Sequence, residues 1–195
     1  MEIDESLFDN FIIVVENFYA DPMEVRRYAL HSYDYAKRYP YGNRTNTSYC
    51  KIEINQTIEK YMYPFGGSIR SHGNTSGSFL FTTPKNNGYW IHTDKSNTCN
   101  WAGVLYMNPN APIECGTANY IYCDDIYNKK KENTLHNEGN IKRNINKWRV
   151  LNRFGNVFNK LVLYRSDNYH TIYKHFGKDK YDCRVTQTMF YETEK

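Results

Sequence analysis

Tyr89-Trp90-Ile91-His92-Thr93-Asp94 is the stretch from which both the fold and the chemistry of this chain can be read. On an extended backbone, side chains two positions apart point to the same side, so His92 and Asp94 present an imidazole and a carboxylate to one point. A second histidine from a distant strand would complete a set of two histidines and one carboxylate, which suits non-haem Fe(II). Because a His-x-Asp tripeptide alone is a weak signal, the rest of the chain has to support this interpretation.

A second histidine follows a strongly apolar run late in the chain. Residues 161–170, with the sequence LVLYRSDNYH, predict a buried strand that ends in a turn, after which His170 opens the next element. His175 is a competing candidate, but it precedes Phe176-Gly177, which is typical of a loop. We favour His170 because it directly follows the apolar strand and Tyr169.

Short strand-like runs, separated by Asn, Gly and Pro turns, dominate the chain beyond residue 78. These runs are residues 78–82, 89–92, 103–108, 118–124, 159–165, 169–173 and 183–191, and an earlier one is residues 11–15. Regularly spaced short strands favour a sandwich or barrel over a parallel α/β sheet. We therefore predict a mainly β fold.

The first 66 residues carry the helical signals. Asp21-Pro22 predicts the start of a helix, since Asp is a favoured cap and Pro suits the first helical position. Residues 47–54 predict a strand, and residues 56–63 predict a short helix. No flexible linker follows, so we predict a single domain, residues 1–195, in which residues 1–66 pack as helical support on the outside of the barrel.

The composition places only broad limits on function. The net charge of +4 does not by itself indicate nucleic acid, and the five cysteines include no Cys-x-x-Cys pair that would predict a zinc site. The acidic start, Met1 to Glu5, does not resemble a signal peptide, and no apolar run approaches the length of a membrane span. We predict a soluble, intracellular (cytoplasmic) protein without a membrane partner. The richness in Asn, Lys, Ile and Tyr suggests an AT-rich source such as a virus or phage.

Residues 128–149 interrupt the strand pattern. They contain Lys129-Lys130-Lys131 and four further basic residues, together with many asparagines and few apolar side chains. A segment of this composition buries little surface, so we predict a basic, flexible insert. The simplest interpretation is a solvated loop, and the alternative is a lid that faces the substrate. Nucleic acid is not favoured as a partner, although the basic insert leaves it open.

Arg184 and Thr186 share one face of the last predicted strand. An arginine fork binds a carboxylate in bidentate fashion, and a neighbouring hydroxyl adds one more hydrogen bond. Because burying an arginine inside an apolar strand is costly without a partner, we predict that this pair binds a specific anion.

Taken together, these features resemble the Fe(II)/2-oxoglutarate-dependent dioxygenases, and in particular their prolyl-hydroxylase-like branch. The resemblance rests on His92-x-Asp94, the distal His170, the more distal Arg184, the run WAGVLYMN at residues 101–108, Gly116-Thr117 and the opening Phe18-Tyr19-Ala20-Asp21-Pro22. It covers nearly the whole chain apart from residues 128–149. The motifs are short, but their order and spacing are fairly specific.

The resemblance implies a double-stranded β-helix, the jelly roll of the cupin-like proteins, with iron bound in its mouth. His92, Asp94 and His170 would be the metal ligands and the catalytic centre. Fe(II), the cosubstrate 2-oxoglutarate and O2 are the expected cofactors. Because halogenating relatives carry a small residue in place of the carboxylate, Asp94 favours hydroxylation over halogenation.

The resemblance also assigns residues to the cosubstrate. Arg184 would hold the far carboxylate of 2-oxoglutarate with help from Thr186, and Tyr106 is a candidate for the near carboxylate. Trp101 and Tyr89 are candidates for facing the substrate, although Trp101 is most simply explained as a core aromatic residue.

The expected activity is hydroxylation of a peptidyl or amino-acid-like substrate with release of succinate and CO2. Oxidative demethylation, and substrates such as a small metabolite or a methylated base, stay open. One alternative function is a non-enzymatic jelly-roll binding or virion-associated module, because this architecture serves both classes. Another is a metal-dependent cupin-like enzyme that does not use 2-oxoglutarate, although Arg184 weighs against it.

Overall fold

The computed structural model describes residues 11–39, 42–86, 90–95, 99–123 and 144–194. Within these ranges lie two α-helices, α1 (Pro22–Ser32) and α2 (Ile52–Gly66). The strands are β1 (Ile12–Val15), β2 (Lys37–Tyr39), β3 (Gly42–Ser48), β4 (Ile69–His72), β5 (Ser78–Thr82), β6 (Trp101–Tyr106), β7 (Thr117–Tyr122), β8 (Trp148–Phe154), β9 (Leu161–Arg165), β10 (His170–Ile172) and β11 (Arg184–Thr193).

The strands form two antiparallel sheets. The large sheet has the order β1-β9-β6-β11-β5-β3-β2, and β4 pairs with the far end of β11. The small sheet has the order β10-β7-β8. Neighbours in these sheets are mostly distant in sequence, as in a jelly roll, and the predicted mainly β fold is confirmed.

Strand β11 shows how the large sheet divides the molecule. Val185 and Met189 point to one side and are buried in the main apolar core. Arg184, Thr186 and Thr188 point to the other side and line a cavity. The alternation follows from the two-residue period of a strand, so one element supplies both a core face and a cavity face.

Both helices contribute to the main core. Val25 and Ala29 of α1, together with Ile58 and Met62 of α2, belong to the same buried cluster as Val185 of β11. Burying a Val, Ile or Met side chain contributes about 1.5–3 kcal/mol, so these contacts hold the helices on the face of the sheet opposite the cavity. Neither helix of the described ranges is long and apolar enough to span a membrane.

Helix α1 begins as the sequence predicts. The Asp21 carboxylate accepts a hydrogen bond from the backbone N–H of Glu24 at 2.9 Å, and Pro22 occupies the first turn. This contact satisfies one of the backbone donors that a helix leaves unpaired at its start.

Helix α2 differs from the prediction. The predicted strand 47–54 ends at residue 48, and the helix predicted over residues 56–63 spans Ile52–Gly66. Ile54, Ile58 and Met62 recur every four residues and are all buried, so the helix extends wherever this apolar stripe can pack.

Strand β8 was not predicted, and it changes the boundary of the basic insert. Trp148 pairs with Tyr122, and Arg149 pairs with Ile121 in the small sheet. The predicted flexible insert, residues 128–149, is therefore too long at its C-terminal end. Its part up to residue 143 lies outside the described residues.

Candidate functional site

His92, Asp94 and His170 meet in the cavity of the β-structure. Their nearest ligand atoms all lie within 4.8 Å of one another. Asp94 Oδ2 lies 3.2 Å from His170 Nε2, and Asp94 Oδ1 lies 3.7 Å from His92 Nε2. The structure thus brings together the three side chains predicted as metal ligands, from segments more than seventy residues apart in the sequence.

The backbone fixes this meeting point. His92 and His170 form an isolated antiparallel bridge, in which the N–H of His92 donates to the carbonyl of His170 at 3.1 Å and the reverse bond is 2.8 Å. The N–H of Asp94 donates to the carbonyl of Ser166 at 2.8 Å. Within the described part of the predicted strand 89–92, this bridge is the whole of the β pairing.

Hydrogen bonds on the far side of each imidazole set its tautomer. His92 Nδ1 lies 2.9 Å from the carbonyl oxygen of Trp90, and His170 Nδ1 lies 3.0 Å from that of Asn168. A carbonyl only accepts, so each Nδ1 carries a proton, and the lone pair of each neutral ring is on Nε2, facing Asp94. This is the arrangement in which protein histidines bind metals, so the residues fit a divalent cation such as Fe(II).

The charges of the cluster reinforce one another. Burial alone would lower the pKa of His170, but the neighbouring Asp94 raises it above its usual value. Burial would likewise raise the pKa of Asp94, whereas His170 and His92 lower it. The partly buried carboxylate thus favours a positive charge between it and the imidazoles, and a metal ion supplies that charge without a proton.

Arg184 is a buried cation whose side chain is held by neutral groups. The residue is 2% exposed, and its guanidinium donates to the carbonyl of Cys115 at 3.1 Å, to Thr117 Oγ1 at 3.2 Å and to Thr186 Oγ1 at 3.3 Å. Within the described ranges it forms no ion pair with a carboxylate. Burial lowers the pKa of Arg184, which expresses the cost of this unpaired charge.

One cavity contains both the cluster of candidate metal ligands and Arg184. It has a volume of about 430 Å³ and is lined by the three candidate ligands, by Arg184 and Thr186, and by apolar side chains that include Leu80, Val104 and Phe190. A cavity of this size, mostly apolar with a few convergent polar groups, is typical of a small-molecule site.

Tyr106 lies at the Arg184 end of the site. Its hydroxyl donates to Thr117 Oγ1 at 2.9 Å, and its ring lies 5.6 Å from the guanidinium carbon of Arg184. Thr117 therefore accepts hydrogen bonds from both Tyr106 and Arg184. These contacts support a role in positioning Arg184 and give no support to the prediction that Tyr106 binds the near carboxylate of a cosubstrate.

The prediction that Trp101 faces the substrate is wrong. Trp101 is completely buried in the main core, on the helix side of the large sheet. Val104, an odd number of positions away on the same strand, lines the cavity, so the period of the strand turns Trp101 to the opposite side. The other candidate, Tyr89, lies outside the described residues.

Arg44 is a lining residue for which the sequence gave no signal. It enters the cavity from β3, and its Nη1 donates to Ser78 Oγ at 2.9 Å and to Thr188 Oγ1 at 2.7 Å. Its charge helps to lower the pKa of Asp94, after the larger effects of burial and the two histidines. Only the pairing of β3 with β5 and of β5 with β11 brings it here, and such long-range pairing was not predicted.

Comparison of the sequence with family models and with curated proteins finds no match. Comparison of the structure with solved structures finds matches. A prolyl hydroxylase from Trichoplax adhaerens, in complex with a peptide fragment of the hypoxia inducible factor oxygen degradation domain, matches with a TM-score of 0.60 and 15% identity over 97% of this chain and 87% of that chain.

Two further solved structures match as well. The non-heme alpha ketoglutarate dependent carbocyclase SnoK, from nogalamycin biosynthesis, has a TM-score of 0.60 and 9% identity over 98% of this chain and 84% of that chain. HygX from Streptomyces hygroscopicus, with nickel and 2-oxoglutarate bound, has a TM-score of 0.52 and 12% identity over 100% of this chain and 88% of that chain. The chain therefore has the double-stranded β-helix fold of the prolyl-hydroxylase-like, 2-oxoglutarate-dependent oxygenases, as its sequence motifs predict.

Proposed function

We propose that this protein is a non-haem Fe(II)- and 2-oxoglutarate-dependent oxygenase that hydroxylates a peptidyl or amino-acid-like substrate. The observation that carries the proposal is the pairing of two features in one cavity. One is the cluster of His92, Asp94 and His170, and the other is the buried guanidinium of Arg184, which has no carboxylate partner among the described residues.

The cluster would hold the iron through His92 Nε2, His170 Nε2 and a carboxylate oxygen of Asp94. Three protein ligands on one side of an octahedral ion leave positions for other molecules. When bound, Fe(II) supplies the activation of O2 that is coupled to oxidative decarboxylation of 2-oxoglutarate and to oxidation of the substrate. The backbone carbonyls of Trp90 and Asn168 keep both imidazoles in the orientation that this binding needs.

Arg184 would bind the far carboxylate of 2-oxoglutarate. Its guanidinium stays protonated even when buried, and an arginine fork matches a carboxylate in geometry as well as in charge. Thr186 and Thr117 hold the fork from two sides, so it is positioned before the ligand arrives. The apolar lining lowers the local dielectric constant and strengthens the attraction.

The substrate class is the finer part of the proposal. The Trichoplax neighbour is in complex with a peptide, while HygX has also been seen with hygromycin B bound, at a TM-score of 0.50. The prolyl-hydroxylase-like motifs of this chain favour a peptidyl or amino-acid-like substrate over a molecule such as hygromycin B. Succinate and CO2 would be the products that accompany hydroxylation.

The test begins without oxygen. Addition of Fe(II) and then 2-oxoglutarate to the protein should produce a visible charge-transfer absorption band, and admission of air should yield succinate. An Arg184→Ala protein is the matched control, which should bind Fe(II) but lose the band at moderate 2-oxoglutarate concentrations. Wild-type protein that gives neither band nor succinate would contradict the proposal and favour the non-enzymatic binding module.

The substrate is tested separately by mass spectrometry. Pools of peptides, free amino acids and small metabolites are incubated with the loaded enzyme and searched for the gain of one oxygen atom. Modification only of small non-amino-acid molecules would overturn the substrate class and leave the oxygenase assignment intact.

A further inference from the structure

His175 is a titratable residue of the cavity that has no role in the mechanism above. Its ring lines the cavity that contains the metal cluster and Arg184. Its Nδ1 atom is buried and has no hydrogen-bond partner in the part of the chain that the structure describes. Leaving a buried polar atom unpaired costs about 1–3 kcal/mol, so such an atom calls for a ligand or another reason to be there.

The backbone places His175 at the Arg184 end of the cavity. The carbonyl of Cys115 accepts the hydrogen bond from Arg184 Nε at 3.1 Å, and the thiol of the same cysteine lies 3.9 Å from the carbonyl of His175. Just before His175, the N–H of Tyr173 donates to the carbonyl of Gly116 at 3.1 Å. The segment that follows β10 therefore runs alongside residues 115 and 116, and the carbonyl of Cys115 also contacts the guanidinium.

The turn beyond His175 holds it in place. Gly177 has φ of +78°, and a Cβ there would lie 2.3 Å from the carbonyl oxygen of Asp182, so this tight turn requires glycine. The Asp182 carboxylate accepts hydrogen bonds from the backbone N–H groups of Lys178 and Asp179 at 2.7 and 2.9 Å. These contacts fix the backbone of the turn that follows His175.

The charge state of His175 suits a hydrogen-bond donor. Burial, together with the positive charge of Arg184, lowers the pKa of His175 to about 4. At neutral pH the ring is therefore uncharged and carries one N–H. It can donate to an anion beside Arg184 without repelling the guanidinium.

We propose that His175 is a second binding residue for the anion held by Arg184, and that its ring N–H donates to the far carboxylate of 2-oxoglutarate. This inference rests on the proposed function, and it extends that function to the choice of cosubstrate. Arg184 supplies the charge, while His175 supplies a fixed neutral donor that only a ligand with a far carboxylate can use. A 2-oxo acid of the same length without that carboxylate gains nothing from it.

The experiment compares two ligands on three variants. Fe(II)-loaded protein is titrated anaerobically with 2-oxoglutarate and, in parallel, with 2-oxopentanoate, which has the same chain length but no far carboxylate. The variants are His175→Phe, which keeps a ring without a donor, His175→Gln, which keeps a donor, and His72→Phe, which replaces an exposed histidine of β4. Thermal unfolding and Fe(II) affinity are recorded for each variant.

We expect His175→Phe to raise the dissociation constant for 2-oxoglutarate about tenfold, the usual effect of losing one hydrogen bond to a charged group. The constant for 2-oxopentanoate should stay the same. His175→Gln should recover part of the loss, and His72→Phe should match the wild type. A purely structural role would weaken both ligands together, so the ratio of the two constants separates the roles.

Two outcomes overturn the inference. If His175→Phe leaves the ratio of the two constants unchanged, His175 does not contact the far carboxylate. If this variant fails to fold, His175→Gln decides. The inference is then contradicted if His175→Gln loses as much affinity for 2-oxoglutarate, relative to 2-oxopentanoate, as the roughly tenfold loss expected without a donor. Wild-type protein that does not bind 2-oxoglutarate at all is a different result, because it overturns the proposed function itself.

Discussion

At the scale of the residue, Arg184 is the most informative side chain. A cluster of two histidines and a carboxylate serves several oxygen-using chemistries, and a jelly roll serves many functions. The side chain of Arg184 reduces the number of functions that fit, because the residue is 2% exposed and its guanidinium is bound by one carbonyl and two hydroxyl groups. It supports the proposal that the cavity binds a small dicarboxylate.

Substitution of Arg184 tests this assignment directly. Arg184→Lys keeps the charge and loses the planar fork, so we expect a moderate rise in the KM for 2-oxoglutarate. Arg184→Ala should raise it much more, by about 2–5 kcal/mol in binding terms, because a buried carboxylate loses its charged partner. The measurement is succinate formation at varied 2-oxoglutarate, beside an anaerobic Fe(II) titration that should barely change. Unaltered 2-oxoglutarate dependence in Arg184→Ala would reopen the cupin-like alternative.

The distal ligand is tested by a pair of histidine variants. His170→Ala should weaken Fe(II) binding by at least about tenfold, since the site loses one of its three ligands. His175→Ala should leave Fe(II) affinity close to that of the wild type, because His175 lies outside the ligand cluster. Iron content after dialysis measures both effects. The reverse pattern would assign the distal ligand to His175.

Which site residues the sequence could predict depends on how local their placement is. His92 and Asp94 lie two positions apart on an extended segment, and Arg184 and Thr186 share one face of β11, so both pairs were visible in the sequence. Thr117 reaches the guanidinium only through the folding of the small sheet against the large one. The predicted viral or phage source of the chain stays a prediction.

At the scale of the element, β11 joins stability and binding in one strand. Its even-numbered cavity residues and odd-numbered core residues were both within the predicted strand, but the sequence alone did not say which face met the helices. The same limit explains Trp101, whose face is set by its register with β11 and β9. A one-residue change of register would have exchanged the two faces.

Two substitutions in β11 should separate its faces. Met189 is completely buried in the core, so Met189→Ala should lower the free energy of unfolding by about 2–5 kcal/mol and leave 2-oxoglutarate affinity nearly unchanged. Thr186→Val removes the hydroxyl that binds Arg184 at 3.3 Å, so it should weaken 2-oxoglutarate binding by about 1 kcal/mol. Urea unfolding and ligand titration of both variants form the test. Equal effects on both properties would show that the faces are not independent.

At the scale of the whole molecule, the fold places the helices on one face of the large sheet and the cavity on the other. The mainly β class was predicted, because short strands and their turns are local signals, and the jelly roll was implied by the family resemblance. The strand order was not, because pairs such as β9 with β6, or β11 with β5, join segments far apart in the chain. Helix α2 was predicted too short for a related reason: Pro64 is a local stop signal, whereas the burial of Ile54 and Gly66, which lie beyond the predicted ends, comes from tertiary packing.

Two of the histidines that line the cavity, His175 and His170, should give the metal-free protein opposing responses to pH. For His175, the folded pKa of about 4 lies below its unfolded value near 6.5. As the pH falls from 6.5 to 4, the unfolded chain takes up a proton that the native state does not, so the native state loses stability. For His170 the folded pKa is raised, so its contribution is present below pH 6.5 and fades as the pH rises. To measure the response of one histidine, the experiment must therefore replace that histidine and retain the other.

His175→Phe provides that isolation, because it retains His170. The ring of His175 is partly exposed, so we expect solvent screening to reduce its effect to about 1–2 kcal/mol. The wild type should lose this much stability relative to His175→Phe when the pH is lowered from 7 to 4. Urea unfolding of both metal-free proteins across this range is the measurement, with His72→Phe as the control that should follow the wild type. The free energies of unfolding of the wild type and His175→Phe could instead change in parallel with pH. That result would mean that the His175 imidazole takes up a proton as readily in the folded protein as in the unfolded chain. The ring would then not lie beside the buried charge of Arg184.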